Sequence, residues 1–209
     1  MRKWIVFSLL LFGLWGCFAC VPLDVRAREE LSITVDLDDI LKKNGVDKNK
    51  VFPGGKIPKD FKLSIPFWYA TTYDIRDNQQ IKKYKEQIKD LRIVQLSYKL
   101  DENSLSVEIP SHGHQLQVYL SDVDNKKEEQ FKEVGFLYPI PAGKPNIADR
   151  LQFLEQGEET ARNYFEKLAF EFAVKGKIDL DGAINQTVPS GKLTIRLVLD
   201  VEFMINLAP

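Results

Sequence analysis

The sequence predicts a mainly β fold: an antiparallel β-sandwich with a long C-terminal hairpin and two or three short helices. Three observations carry that expectation. Between Leu193 and Leu207 every second residue is apolar (Leu193, Ile195, Leu197, Leu199, Val201, Phe203, Ile205, Leu207) and most of the residues between them are polar. A period of two marks a strand with one dry and one wet face. Leu168, Phe170, Phe172, Val174, Ile178 and Leu180 repeat the pattern, with Gly176 in the vacant place, and Asp181-Gly182 and Pro189-Ser190-Gly191 bracket the connection between the two stretches. Shorter alternations punctuated by turn residues fill the rest of the chain.

Leu31, Ile33, Val35 and Leu37 form a first strand with an acidic outer face, and Asp38 to Lys43 starts a helical turn. Asn44-Gly45 and Pro53-Gly54-Gly55 mark a long lysine-rich loop. Phe61, Leu63, Ile65, Phe67 and Tyr69 alternate around Pro66, which cannot donate to a ladder, so this strand belongs at an edge or carries a bulge. Ile81, Tyr84, Ile88 and Leu91 fall at helical spacing and predict an amphipathic helix over residues 80–91. Arg92 to Leu100, with Val94, Leu96, Tyr98 and Leu100 on one face, and Leu105 to Ile109 then read as two arms of a hairpin about Asp101-Glu102-Asn103.

Leu116, Val118 and Leu120 give another strand, Asp122 to Gln130 a charged loop, and Val134 to Ile140 a further strand. Asn146, with Asp149 three residues on, resembles an N-cap leading into Ile147, Leu151 and Leu154 as a helix that Gly157 breaks. A second helix is expected from Glu158 to about Lys167. At about 3.3 Å per residue the last strand approaches 50 Å, so it must bend, bulge or wrap. The alternative architecture is therefore a half-barrel α+β fold around an apolar cavity.

Residues 1–27 read as an export leader and tether, and residues 28–209 as a single β-rich domain. Met1 to Lys3 supply a positive start and Trp4 to Leu14 an apolar run, the pattern of an export signal. Three endings compete. Leu14-Trp15-Gly16-Cys17 looks like the lipobox of bacterial lipoproteins, with Cys17 the lipid-bearing residue and Trp15 a departure from the usual small residue. Val25-Arg26-Ala27 is an ordinary small-residue cleavage site. Without cleavage, Trp4 to Val21 sits near the lower limit for spanning a bilayer core of roughly 30 Å. Each places the folded part beyond the cytoplasmic membrane, at the envelope and facing the periplasm or the cell exterior.

The two cysteines, Cys17 and Cys20, both lie in the leader or beside it, so the domain has neither disulfide nor thiol nucleophile. A net charge of −1 argues against a nucleic-acid partner. His112 and His114 are candidate metal ligands, since two imidazoles two apart on a strand share a face. Two ligands make half of a tetrahedral zinc site, and a solvated turn is the expected role. Asp36, Asp38 and Asp39, and Asp122, Asp124 and Asn125, are oxygen-rich without the spacing of a calcium loop. No nucleophile elbow, phosphate loop or metalloprotease helix occurs, and Ser111 beside His112 does not make a triad. No enzyme activity and no cofactor are expected.

Leader and strand pattern together loosely resemble bacterial lipoproteins with Ig-like or LEA-type sandwiches; the resemblance covers no diagnostic motif and transfers no functional residue. The expected role is a non-catalytic, membrane-tethered interaction or scaffold module, held by its N-terminal lipid and engaging an envelope protein or polymer through loops or an edge strand. The alternative is a carrier of lipid or another apolar ligand, which requires a large apolar cavity.

Overall fold

The computed structural model describes residues 23–77, 79–82, 88–111, 114–125, 127–144 and 147–205. In chain order the elements are β1 (Leu23–Asp36), α1 (Leu37–Lys43), α2 (Lys48–Val51), β2 (Lys62–Asp74), α3 (Gln79–Lys82), β3 (Ile88–Asn103) and β4 (Leu116–Ser121). Then come β5 (Lys132–Leu137), β6 (Ala148–Arg150), β7 (Gln152–Phe153), α4 (Gly157–Phe165), β8 (Ala169–Asp181) and β9 (Lys192–Ile205). Two antiparallel sheets, in the orders β1-β9-β3-β6 and β2-β8-β4-β5-β7, pack together around one apolar cluster. The protein is a β-sandwich with few short helices.

The final strand is central, as its pattern demands. Leu193, Ile195, Leu197, Leu199, Val201, Phe203 and Ile205 are each at most 1% exposed, so each contributes roughly 1.5–3 kcal/mol of hydrophobic stabilisation. β9 lies between β1 and β3, and its ladder with β1 runs without a shift from Leu23 opposite Ile205 to Asp36 opposite Lys192. The length problem is solved on the partner: β3 shifts register against β9 at Ile88/Asp90, Ile93/Gln95 and Leu100/Glu102. Such bulges add local twist, letting a long sheet curl over its core.

Cross-strand charges fix which way β1 meets β9. Arg26 reaches Glu202 at 3.0 Å, Arg28 reaches Asp200 at 2.7 Å and Lys192 reaches Asp36 at 3.1 Å. Arg196 bonds both Glu30 and Asp101. These exposed pairs contribute little energy individually. A slip of one residue, however, would break all of them and turn the apolar face to water.

The predicted C-terminal hairpin does not form. β8 and β9 are the two heavily buried strands, but β8 pairs with β2 and β4 in one sheet while β9 pairs with β1 and β3 in the other. The ten residues between Asp181 and Lys192 carry the chain across the sandwich. They are held by the 52–61 loop: Ile57 N–H donates to Gln186 O, Val188 N–H to Gly55 O and Gly182 N–H to Phe61 O. Gly182 cannot carry a Cβ there, because that atom would fall 1.8 Å from Pro58 O.

Three local expectations also change. Helix over 80–91 is replaced by α3 and by β3 starting at Ile88. Leu105 to Ile109 is no hairpin arm; Ser104 and Ser106 donate instead to Lys192 O and Ser190 O, and Ile109 bridges Ile140. Residues 147–154 form β6 on β3 and β7 on β5, not a helix, with Leu151 buried where the chain passes from one sheet to the other. Gly157 starts α4 rather than ending a helix, and its Cα lies against Val134, where a Cβ would come within 2.0 Å of the carbonyl oxygen. The edge position inferred from Pro66 holds: β2 ends its sheet, with Pro66 opposite Lys177.

Asp36 joins sheet to helix. Its carboxylate accepts from the backbone N–H of Asp38 at 2.9 Å and of Asp39 at 3.4 Å, capping α1. Partial burial pushes this carboxyl up, but Lys192 and the two N–H groups outweigh it and hold it below the ordinary range. A depressed carboxylate stabilises the fold above its unfolded value and loses that contribution as pH falls through the folded value. Thermal stability therefore drops on acidification below about pH 4. Asp36→Ala costs about 1 kcal/mol at neutral pH, read as a lower urea midpoint, and softens the acid response. An unchanged midpoint would show that the cap contributes nothing.

Candidate interaction edge and grooves

β1 and β2 are the edges of their respective sheets on the same side of the sandwich, and two tyrosines of β2 join them. Tyr69 hydroxyl donates to Asp36 O at 3.3 Å and contacts Asp39 Oδ2 at 3.2 Å. Tyr73 hydroxyl donates to Glu30 O. Burial, then the nearby Asp39 and Asp36 charges, push Tyr69 up to about 12. Burial and the Glu29 charge likewise raise Tyr73. Both stay protonated donors at physiological pH and occupy β1 backbone groups that would otherwise template another strand.

The free edge of β2 is different. Pro66 O accepts from Asn44 Nδ2 at 3.4 Å, which shows that the even-numbered backbone groups of this strand point away from β8. Among the described residues, that is the bond reaching this edge. At the start of β2 the edge opens on a groove of about 580 Å³ that includes Leu63, Ser106, Val107, Asp179 and Ile184. Leu63 is 39% and Ile184 65% exposed, unusual for large aliphatic side chains. Lys62 and Asp181 bridge at 3.3 Å across the strand ends. Ser64 hydroxyl donates to Asp179, and Asp179 N–H donates to Ser111 Oγ at 2.6 Å. The serines and carboxylate here tie adjacent strands together, and no described histidine is paired with either hydroxyl.

The outward face of the same sheet carries Trp68, whose ring meets Phe131 edge-on at 5.0 Å and Tyr119 at 5.3 Å. Phe131 is buried, so this is a small second core under the 122–131 loop. Burial and Glu133 push Tyr119 up to about 12, and its hydroxyl donates to Glu133 at 3.2 Å. Beside this cluster lies an open trough of about 620 Å³ over Lys175, Gly176 and Lys177. A third depression, of about 520 Å³, sits over Arg26, Arg28 and Val94 on the other sheet.

Cys17 and His112 lie outside the described residues. His114 is exposed at the rim of the trough. Among the described residues, no group of three or more histidine, cysteine, aspartate or glutamate side chains is placed to hold a metal ion. The acidic clusters serve local structure. Asp36 caps α1, Asp38 pairs with Lys48, and Asp39 meets Lys43 at 2.7 Å. Asp122 pairs with Lys167 and accepts the Asn125 N–H through its carbonyl. Among the described residues no helix is long and apolar enough to cross a membrane.

Sequence reasoning missed Tyr73 as a cross-sheet tie and Asp179 as a strand clamp. Tyr69 is legible as a member of the alternating face of β2; its bond to another sheet is not, because periodicity names a face and never the element opposite it.

No family model matches the chain. No curated protein matches it. A chain in a solved structure of infectious bursal disease virus Gt strain is 12% identical over 90% of this chain and 43% of that chain, with a TM-score of 0.15. At that score the likeness carries no argument about fold or function.

Proposed function

We propose that the chain is a non-catalytic lipoprotein of the bacterial envelope, tethered through lipid on Cys17, that binds an extended segment of an envelope partner along β2. The observation that carries this reading is the free β2 edge. Along Lys62–Asp74 the even-numbered residues present outward backbone groups beside a groove with exposed Leu63 and Ile184. Strand addition takes its affinity from such main-chain groups and its selectivity from adjoining pockets. The β1 edge supports the assignment by contrast, since Tyr69 and Tyr73 occupy its Asp36 and Glu30 carbonyls. An apolar-ligand carrier needs an enclosed cavity, whereas the groove, the trough and the third depression are open to solvent.

Lipidation at Cys17 is favoured over a cut after Ala27 by the position of β1. The strand begins at Leu23, and Val25, Arg26 and Ala27 pair with Phe203, Glu202 and Val201. Ala27 is 4% exposed. A cut after Ala27 would strip that end of the ladder from the central strand.

A photo-crosslinker at Thr72, exposed and on the outward parity of β2, should trap a discrete envelope partner in cells. Ala70→Pro removes an outward N–H without touching the β8 ladder, as edge positions tolerate proline, and should abolish the adduct while the fold persists. An undiminished adduct in Ala70→Pro would sink the edge assignment. Cys17→Ser should move the protein from the membrane to the soluble fraction; if it stays membrane-bound and uncleaved, the anchor is the apolar segment and not lipid.

A further inference from the structure

The outward face of the five-stranded sheet carries a feature that edge binding does not use. Pro66, His114, Gln115, Tyr138, Lys175 and Lys177 line the trough of about 620 Å³, a volume within the usual range of roughly 300–1,000 Å³ for ligand sites. Register accounts for the arrangement. Pro66 lies opposite Lys177, and Gln117 opposite Lys175, so both lysines stand on the outward face. Gly176 between them turns inward, where a Cβ would meet the Phe67 ring at 2.5 Å.

The lining is chemically selective. Tyr138 is 49% exposed, and its ring is braced edge-on by Phe136 at 6.0 Å. Lys175 pairs with Glu128 at the rim, and Gln117 Nε2 donates to Glu133 at 3.1 Å. Lys177 makes no ion pair among the described residues, and no described carboxylate lines the trough. The nearest acidic neighbour along the strand, Asp179, has its carboxylate bonded by the Ser64 hydroxyl. An exposed ring offers a flat face to C–H groups, an amide such as Gln115 both donates to and accepts from hydroxyls, and the ammoniums call for an anion. A purely apolar ligand would strip water from Lys177 without compensation. A nucleic acid has phosphates that want many cations, where the trough has two lysines and the chain a net charge of −1.

We propose that this trough binds an acidic polysaccharide, with a sugar ring on Tyr138, its hydroxyls at Gln115, and its carboxylate beside Lys177 and Lys175. The assignment stands apart from the β2 edge and from the tether. Tyr138 and Gln115 are exposed and the two lysines half-buried in an open trough, so binding is weak and salt-sensitive.

The test titrates the full-length protein, in non-ionic detergent, with polygalacturonate, using dextran as the neutral polymer and single-stranded DNA as a polyanion without acidic sugars. Polygalacturonate should bind saturably and weaken roughly tenfold between about 50 and about 500 mM salt. Dextran and DNA should bind at least about tenfold less tightly. Lys177→Gln should lower affinity about fivefold and flatten the salt dependence, the effect of losing one exposed charge contact. Tyr138→Ala should lower it about tenfold with the salt slope unchanged. Both side chains lie outside the core, and unaltered melting temperatures check that the fold persists. Absence of saturable binding, equal binding of dextran or DNA, or wild-type affinity in both variants overturns the proposal. None of these outcomes depends on crosslinking at β2.

Discussion

Replacing Leu199 by aspartate abolishes the cooperative unfolding transition of the domain. Leu199 is fully buried on β9, opposite Glu29 on one side and Leu96 on the other. Truncating such a leucine costs about 2–5 kcal/mol through lost transfer energy and the cavity left behind. A carboxyl without a partner adds about 1–3 kcal/mol even when it remains protonated. Against a typical total of about 5–15 kcal/mol, a combined loss of about 3–8 kcal/mol removes a large part or all of the stability. Near-UV circular dichroism and a thermal melt read the outcome. Val198→Lys is the matched control: it is next along the strand, on the outward face opposite Glu30, and should melt close to wild type. If Leu199→Asp melts as the wild type does, β9 is not the centre of the core.

The alternation that makes this prediction is legible because β9 is buried on one face along its whole length, and burial writes itself into a period of two. The identity of its neighbours is not. Leu168 to Leu180 has the same pattern and precedes β9 directly, so a hairpin is the economical inference; yet each strand is interior to its own sheet, with β2 and β4 flanking β8 and β1 and β3 flanking β9. What separates a hairpin from a crossing is the connection, and the residues that hold this one, Gly55, Ile57, Phe61 and Gly182, are mostly remote from it in sequence. The misplaced helix at 147–154 has another cause. Ile147 and Leu151 are four apart, a spacing that fits both a helical turn and two steps of a strand, and the backbone bonds to β3 and β5 decide in favour of strand.

The site is legible in part for the same reason. Pro66 identifies an edge because proline lacks a donor, a property of the residue itself. The trough over Gly176 leaves a trace in the sequence, since glycine fills the single vacancy in the apolar series of β8; its meaning requires Phe67, more than a hundred positions earlier. Lys175 and Lys177 read as ordinary solvated positions until Gln115 and Tyr138 are placed beside them. Residues from four separate stretches build that surface, and no spacing rule joins them.

Gly191→Ala is the second large effect, about 3 kcal/mol or more of destabilisation, because two independent penalties meet at one Cα. Its φ of +106° lies where side-chain-bearing residues are strained, at about 1–3 kcal/mol. A Cβ would also stand 2.1 Å from Ser104 O and 3.0 Å from Leu105 Cα, so backbone must move. The surroundings resist that movement. Ser104 N–H donates to Lys192 O and Ser106 N–H to Ser190 O, while Lys192 N–H and Ser190 N–H donate to the Ser104 and Ser106 hydroxyls. Leu37 N–H, at the start of α1, donates to Gly191 O at 3.1 Å. Gly143→Ala separates the two penalties, since Gly143 also has positive φ but a Cβ added there would meet nothing within 4 Å. It should cost only about 1 kcal/mol. For a chain of this size the difference corresponds to a melting point lower by about 6–12 °C for Gly191→Ala against about 2–4 °C for Gly143→Ala. Equal shifts would mean that the close approach to Ser104 is relaxed at no cost, and that the start of β9 is not pinned by the clasp through which the chain enters its central strand.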